Sequence, residues 1–278
     1  MIDRIETIGS SQVHHGKHNN RIYLMKADQQ ELSWLIPRLD QLAEAKGYTK
    51  IFAKVPAWSK MDFIRQGYST EAKIPMFYRG KGEAVFLGKY LCQKRRKENR
   101  QDLLKQIIST AQGKSSTECS TELESGYRFR LAAKEDVETM AELYQEVFDT
   151  YPFPIQDPSY LAQTMDENLV YFGIWKNKRL LALASSEIDY QGQNAEMTDF
   201  ATHPESRGQG LASYLLTMME QQMAESGIKT VFTIARAYSY GMNITFAKQG
   251  YDYSGTLTNN TNISGQLESM NVWHKALR

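Results

Sequence analysis

Two stretches of this chain carry apolar residues at helical spacing and then pass into strands in the same way. In residues 31–45, Leu32, Leu35, Ile36, Leu39 and Leu42 share one face, which predicts an amphipathic helix. Gly47 ends it, and an apolar strand follows to residue 55. In the second half, a helix over 211–226 ends at Gly227 and leads into a strand over 230–235. Phe63-Ile64-Arg65-Gln66-Gly67-Tyr68 follows the first strand. Phe246-Ala247-Lys248-Gln249-Gly250-Tyr251 follows the second, closing a helix over 240–249, and two more strands come after it. Residues 20–91 thus read as a shortened copy of the second half.

Between the copies, Lys94, Arg95, Arg96 and Lys97 form a basic run. It predicts the solvated start of a helix that continues through Leu103, Leu104, Ile107 and Ile108. No aromatic residues are interleaved, which argues against an RNA-binding patch. Residues 109–126 are rich in Ser, Thr, Gly and Glu and predict a flexible linker. The expected division is 1–92, then 93–126 as basic helix and linker, then 127–278.

Composition narrows the class without choosing a function. A chain of 278 residues allows one or two domains, and 41% hydrophobic with 23% charged residues is ordinary for a globular protein. A net charge of +1 speaks against a nucleic-acid or anionic-membrane partner held by bulk charge. There is no apolar run long enough to span a membrane, and residues 1–12 lack a secretory pattern. A cytoplasmic, soluble protein is the expectation. Cys92 and Cys119 show no ligand spacing, so no metal is expected.

The most informative run is Ala201-Thr202-His203-Pro204-Glu205-Ser206-Arg207-Gly208-Gln209-Gly210-Leu211-Ala212. A strand-like approach turns through two glycines into the helix that starts at Leu211 and Ala212. That turn aims unpaired backbone N–H groups and the positive end of the helix dipole at one place. The arrangement suits a phosphate or pyrophosphate. Gly208 and Gly210 present no Cβ to an approaching anion. No lysine follows Gly210, which excludes a P-loop. Ser213 stands where the third glycine of a dinucleotide fingerprint belongs, and Arg236 rather than an acid ends the next strand.

With the downstream order of elements, Arg207-x-x-Gly210-x-Ala212 resembles the acetyl-CoA motif of the GCN5-related N-acetyltransferase (GNAT) superfamily over residues 127–278. The resemblance implies an α/β (α+β) GNAT fold. A mixed central sheet with flanking helices would be preceded by a partial, degenerate GNAT-like N-terminal domain. Nothing before Glu31 resembles the glycine cradle, so the first copy is expected to bind no coenzyme. Packing, covering the substrate site and homodimerisation are its candidate uses.

The resemblance also implies where acetyl-CoA sits. Phe200, Ala201 and Thr202 would pair with the pantetheine arm, with Arg207, Gly208, Gln209, Gly210, Leu211, Ala212 and Ser213 around the pyrophosphate. Ser239 aligns with a coenzyme-contacting asparagine of relatives, and Asn243 lies a turn later. Acetyl transfer to an amine needs a base, because an alkyl ammonium has a pKa near 10.4. Relatives carry theirs on the strand before the glycine loop. Glu196 is the first choice there and Asp199 the second. Strict alternation along 195–202 would put Glu196 and Thr198 on one face and Asp199 on the other, barring a bulge. The tyrosine that donates a proton to the thiolate in many relatives is replaced by Phe246, which leaves Tyr240, Tyr251 or water.

For the acceptor, the loop 147–154 with Asp149 and Tyr151, together with Glu187, Thr198, Asn260, Glu268 and Asn271, supplies the candidate contacts. Ser239-Tyr240-Gly241-Met242-Asn243, Asn259-Asn260-Thr261-Asn262-Ile263 and Glu268-Ser269-Met270-Asn271-Val272-Trp273 resemble the beta-lysine N6-acetyltransferase family. That resemblance implies acetyl-CoA-dependent acetylation of the terminal amine of beta-lysine, whose product serves as a compatible solute. Acetylation of another small amine or amino acid is one alternative. A non-catalytic module that senses acetyl-CoA is the other, and turnover separates them.

Overall fold

The repeat in the sequence corresponds to a repeat of hydrogen-bonded strands. The computed structural model describes residues 3–115 and 122–277, so Cys119 and the middle of the expected linker lie outside the described residues. The first half begins with the hairpin β1 (Arg4–Ile8) and β2 (Ser11–Gly16). It continues with β3 (Arg21–Lys26), α1 (Leu32–Lys46), β4 (Lys50–Pro56), α2 (Lys60–Arg65), β5 (Ser69–Tyr78) and β6 (Gly82–Tyr90). Two short helices follow, α3 (Gln93–Arg96) and α4 (Gln101–Gln112).

The second half opens with β7 (Tyr127–Leu131), α5 (Val137–Val147), α6 (Pro158–Glu167), β8 (Leu169–Lys176) and β9 (Arg179–Asp189). Then come β10 (Asn194–Thr202), α7 (Leu211–Glu225), β11 (Thr230–Arg236), α8 (Tyr240–Lys248), β12 (Asp252–Ile263) and β13 (Gln266–Ala276). The order strand–helix–strand–helix–strand–strand from β3 to β6 recurs from β10 to β13. Each copy also contains one parallel pair. β3 and β4 pair from Arg21–Lys50 to Leu24–Ala53, and β10 and β11 from Asn194–Thr230 to Glu196–Phe232. Matching these registers puts Tyr23 of the first copy at the place of Glu196 in the second.

All thirteen described strands belong to one mixed sheet, in the order β1-β2-β3-β4-β6-β5-β12-β13-β11-β10-β9-β8-β7. The corresponding strands β5 and β12 meet in the middle, antiparallel, at Ala72 opposite Gly255. Helix α7 buries Leu211, Leu215, Leu216, Met219 and Met223 against Ala195, Met197 and Val231 of the sheet. Helix α1 does the same in the first half through Leu32, Leu35, Ile36, Leu39 and Ala43. A third apolar cluster crosses between the halves, with Phe77 and Phe232 rings 5.0 Å apart.

The junction is held by charged side chains of the first half rather than by a long ladder. β12 shifts register against β13 between Leu257 and Thr261, which leaves the carbonyls of residues 258–260 without regular strand partners. Lys50 donates to the Thr258 carbonyl at 2.9 Å, Arg95 Nε to that of Asn259 at 2.6 Å, and Arg21 to that of Asn260 at 2.7 Å. Glu71 accepts the Thr258 N–H at 2.9 Å and pairs with Lys50 at 2.8 Å.

Arg95 corrects the sequence reading. It is not part of a solvated helix start but a buried clamp that also reaches the Asn19 carbonyl at 2.9 Å. The basic helix is broken at residues 97–100, and residues 109–112, expected in the linker, complete α4. Ala111 of α4 packs into the core of the second half, which is why helix continues there.

A Cβ at Gly255 would lie 2.2 Å from the Glu71 carbonyl and 2.8 Å from Ala72 Cα. Gly255→Ala therefore loosens the junction and lowers the urea unfolding midpoint by an amount equivalent to about 2–3 kcal/mol. Gly250→Ala, with open space around the new methyl, lowers it by about half that or less. Equal shifts would contradict the close approach.

Candidate active site

Strands β10 and β11 run side by side only as far as Glu196 and Phe232, then part. The cause is on β10, where the pairing with β9 shifts register between Thr198 and Ala201. Asp199 takes the left-handed conformation there, with φ 55°. Its carboxylate explains the bulge. It is buried and accepts hydrogen bonds from the hydroxyls of Tyr151 at 2.6 Å, Ser185 and, at 3.4 Å, Thr198. Beyond Glu196, the β10 edge that faces β11 has no strand partner among the described residues, so its backbone polar groups are available to a ligand.

The gap between the strands is a cleft of about 540 Å³. One wall is Phe200 and Thr202 of β10, another is Thr233 to Arg236 of β11, and the floor includes Phe246 of α8. Arg207, Gly208, Gly210, Leu211, Ala212 and Ser213 close one end at the start of α7, and Ser239 caps α8 beside them. Gly208 and Gly210 have φ of 80° and 77°, and a Cβ on either would project into open space. A bare backbone cradle at a helix N-terminus with Arg207 beside it fits a pyrophosphate.

Three of the expected coenzyme residues stand outside the cleft lining. Ala201 points into the core, and Gln209 is exposed and accepts a hydrogen bond from Tyr127. Asn243 is fully buried and saturated. It donates to the carbonyls of Arg236 and Ser239, at 3.0 and 2.7 Å, and accepts from Asn271 and Trp273, at 2.8 and 2.9 Å. It holds the end of β11, the start of α8 and β13 together, and so shapes the cleft from behind.

A second cavity, about 910 Å³, lies between the two halves. It shares Tyr151, Thr198, Asp199, Ile234, Ile263 and Met270 with the cleft, and these six residues mark where the two spaces meet. Glu187 and Glu196 line this second cavity. The bulge brings Asp199 to the same cavity, in contrast to the opposite face that unbroken alternation predicts.

These acids are costly to ionise together. Burial, followed by the like charge of Glu187, pushes Glu196 up to about 8, while Lys54 opposes the shift. Burial also raises Glu187, again against Lys54. Asp199 is raised by burial despite its hydroxyl donors.

Tyr151, Glu187, Thr198 and Asn260 line the second cavity among the expected acceptor contacts. Asp149 is exposed and lines neither space. Glu268 is fully buried in a two-pronged ion pair with Arg236, at 2.8 and 3.0 Å. Asn271 spends its side chain on Asn243 and Thr256. Neither Tyr240 nor Tyr251 lines the cleft, and Tyr151 is the one tyrosine among the described residues that does.

The first half supplies what sequence reasoning missed, namely Arg21, Tyr23, Lys54, Phe77 and Tyr78 on the second cavity. One signal was present. When the two Gly-then-strand segments are superposed, Lys54 falls where the second copy has Ile234.

Residues 138–251 match the model of the Acetyltransferase (GNAT) family. Along 99% of its length the chain is 37% identical to a beta-lysine N(6)-acetyltransferase of Methanococcus maripaludis, covering 99% of that protein. It is 33% identical to N-acetyltransferase YodP of Bacillus subtilis, with both proteins fully covered. It is 30% identical to a beta-lysine N(6)-acetyltransferase of Methanosarcina mazei over 86% of this chain and 95% of that one. The chain belongs to the GNAT family. It is an acyltransferase, and enzymes of this family use acetyl-CoA as co-substrate. No helix among the described residues is long and apolar enough to cross a membrane, and no cluster of metal-ligating residues occurs among them.

Replacing Gly208 and Gly210 together by valine fills the cradle and strains both positive-φ positions. Calorimetry with coenzyme A should show affinity reduced by at least about tenfold, the loss of roughly one charge-assisted hydrogen bond. Unchanged affinity would remove the cradle from the site.

Proposed function

We propose that this protein transfers the acetyl group of acetyl-CoA to the terminal amine of beta-lysine, giving N6-acetyl-beta-lysine, with Glu196 as general base. One observation carries the reading. An acidic wall of Glu187, Glu196 and Asp199 stands where the coenzyme cleft opens into a second, larger cavity. Two relatives with this activity in their names, matched over most of their length, support the choice of acceptor.

Acetyl-CoA supplies a thioester whose carbonyl carbon is open to attack; the chain does the rest. The acidic wall draws in an ammonium group, which must lose a proton before its nitrogen can attack. An ordinary glutamate lies about six pKa units below an alkyl ammonium. With Glu196 near 8 the gap narrows to about two units, so much less of the barrier is spent on proton transfer. Glu196 is two residues along β10 from Thr198, which lines both spaces. A water bridging that distance carries the proton to the carboxylate. The C–N bond forms as the C–S bond breaks, and an unpaired N–H on the free β10 edge polarises the carbonyl oxygen.

No tyrosine is assigned as acid for the thiolate. Phe246 occupies the usual place, and Tyr151 is held well above its ordinary range by burial and by Asp199, to which it donates. A thiol with pKa near 8.5 leaves readily enough to take its proton from solvent. The product has one positive charge fewer than the substrate, and a net-neutral zwitterion suits accumulation as a compatible solute. The enzyme would then work in the cytoplasm.

Thiol release should be followed with beta-lysine, α-lysine, spermidine and a lysine peptide as acceptors, and beta-lysine should be preferred. For the wild type, kcat/KM should rise with pH through an acidic limb near 8, because Glu196 acts only when ionised. Glu196→Gln should lower kcat/KM at pH 8 by about 10²–10⁴ and abolish that limb. An unchanged limb in the variant would exclude Glu196 as the base. Preference for another amine would keep the enzyme and replace the substrate.

A further inference from the structure

The charges around the second cavity are sorted by their half of origin. Among the described residues, every charged one that the second half contributes is acidic: Glu167, Glu187, Asp189, Glu196 and Asp199. The first half contributes Arg21, Lys26, Lys54 and Arg79, with Glu83 as its single acid. A cavity with one acidic and one basic wall orients a molecule that carries ammonium and carboxylate at separate ends. It is poorly matched to a polyamine, which would leave the basic wall facing like charge.

Lys54 is placed to meet the carboxylate. It projects from β4 with its ammonium 5.1 Å from the centre of the Phe232 ring and 5.8 Å from that of Phe77. Among the described residues, no carboxylate lies within ion-pair distance of it. Burial opposes its charge, while the carboxylates of Glu196 and Glu187 that face it favour the protonated form. A cation in a cavity, resting on aromatic faces and without a direct partner, has its hydrogen-bond donors open to a ligand. Arg21, deeper on β3, adds positive potential. Its Nη1 is tied to Asn260 and Thr261, and its buried Nε has no partner among the described residues.

We propose that Lys54 of the degenerate half binds the carboxylate of the acceptor, and so makes the enzyme select diamino acids over diamines and polyamines. This rests on the assignment of the second cavity to the acceptor. The first copy, with Tyr23 where the second has Glu196 and with no glycine cradle, has become the wall that recognises the acid end. The groups facing Lys54 come from four strands: Tyr23 on β3, Tyr78 on β5, Glu187 on β9 and Glu196 on β10. Lys54 therefore also influences Glu196, and a test must separate the two effects.

Comparing each acceptor with its carboxamide does so, because any change in the base affects both substrates alike. For beta-lysine against beta-lysine amide, wild-type kcat/KM should favour the acid by about 10- to 100-fold, the range of a charge-assisted hydrogen bond. The difference should lie mainly in KM. In Lys54→Met the acid-to-amide ratio should fall to near one, and Lys54→Arg should restore most of it. Coenzyme A affinity measured on the same samples reports folding. A wild-type ratio near one, or a ratio that survives Lys54→Met, would overturn the proposal; the wild-type comparison decides even if the methionine variant does not fold.

If α-lysine or another diamino acid is the acceptor, the same acid–amide comparison is made with it, and only the choice of beta-lysine is lost. If the enzyme turns over 1,5-diaminopentane as well as any diamino acid, carboxylate recognition fails while amine acetylation stands. If no amine is turned over, calorimetry with beta-lysine and its amide reads the same ratio from binding.

Discussion

The architecture depends on the clamp that four side chains of the first half place on β12. Lys50, Glu71, Arg95 and Arg21 satisfy the backbone of residues 258–260, which the register shift against β13 has released. Each bond is to a backbone group with few other options, so removing a partner leaves a buried carbonyl or charge exposed to an apolar surrounding. Because β5 and β12 meet at a single close pair, this clamp fixes how the halves face each other. That angle in turn determines the second cavity, since Lys54 and Tyr23 approach Glu196 and Glu187 only across the junction.

A second constraint sits at the meeting point of the two spaces. Asp199 must be buried to receive Tyr151 and Ser185, and its left-handed backbone ends the regular pairing of β10. One residue thereby does two things. It separates β10 from β11 to open the cleft and adds a third carboxylate to the acidic wall. The hydroxyl donors hold the Asp199 carboxylate in place, whereas burial and the like charge of Glu187 raise the proton affinity of Glu196.

Much of the second half was legible. Helices α7 and α8, the strand before the glycine loop and the loop itself follow from periodicity, glycine positions and the spacing of Arg207, Gly210 and Ala212. The repeat was legible because Gly47, Gly67, Gly227 and Gly250 punctuate both copies. Other features were not, each for a physical reason. Arg95 sits in a run of four cations, and nothing local distinguishes the one that is buried by β12 from its solvated neighbours. The Asp199 bulge depends on hydroxyls at positions 151 and 185, remote in sequence. The amides at 259–262 resembled ligand contacts but mostly fasten the halves, as Asn259 does to the Arg95 and Lys97 carbonyls at 2.9 Å. Lys54 faces the site only across the junction; superposing the two copies puts it at the place of Ile234 but does not show that it meets Glu187 and Glu196.

Two unequal copies are proposed to build one polarised acceptor cavity, with reaction at its acidic wall and recognition at its basic wall. The most direct measurement is a crystal structure with coenzyme A and beta-lysine bound together. The terminal nitrogen should lie toward Glu196 and Thr198, and the carboxylate within hydrogen-bond distance of Lys54. Beta-lysine lying in the reverse sense, or bound wholly by the second half with Lys54 left in water, would contradict it.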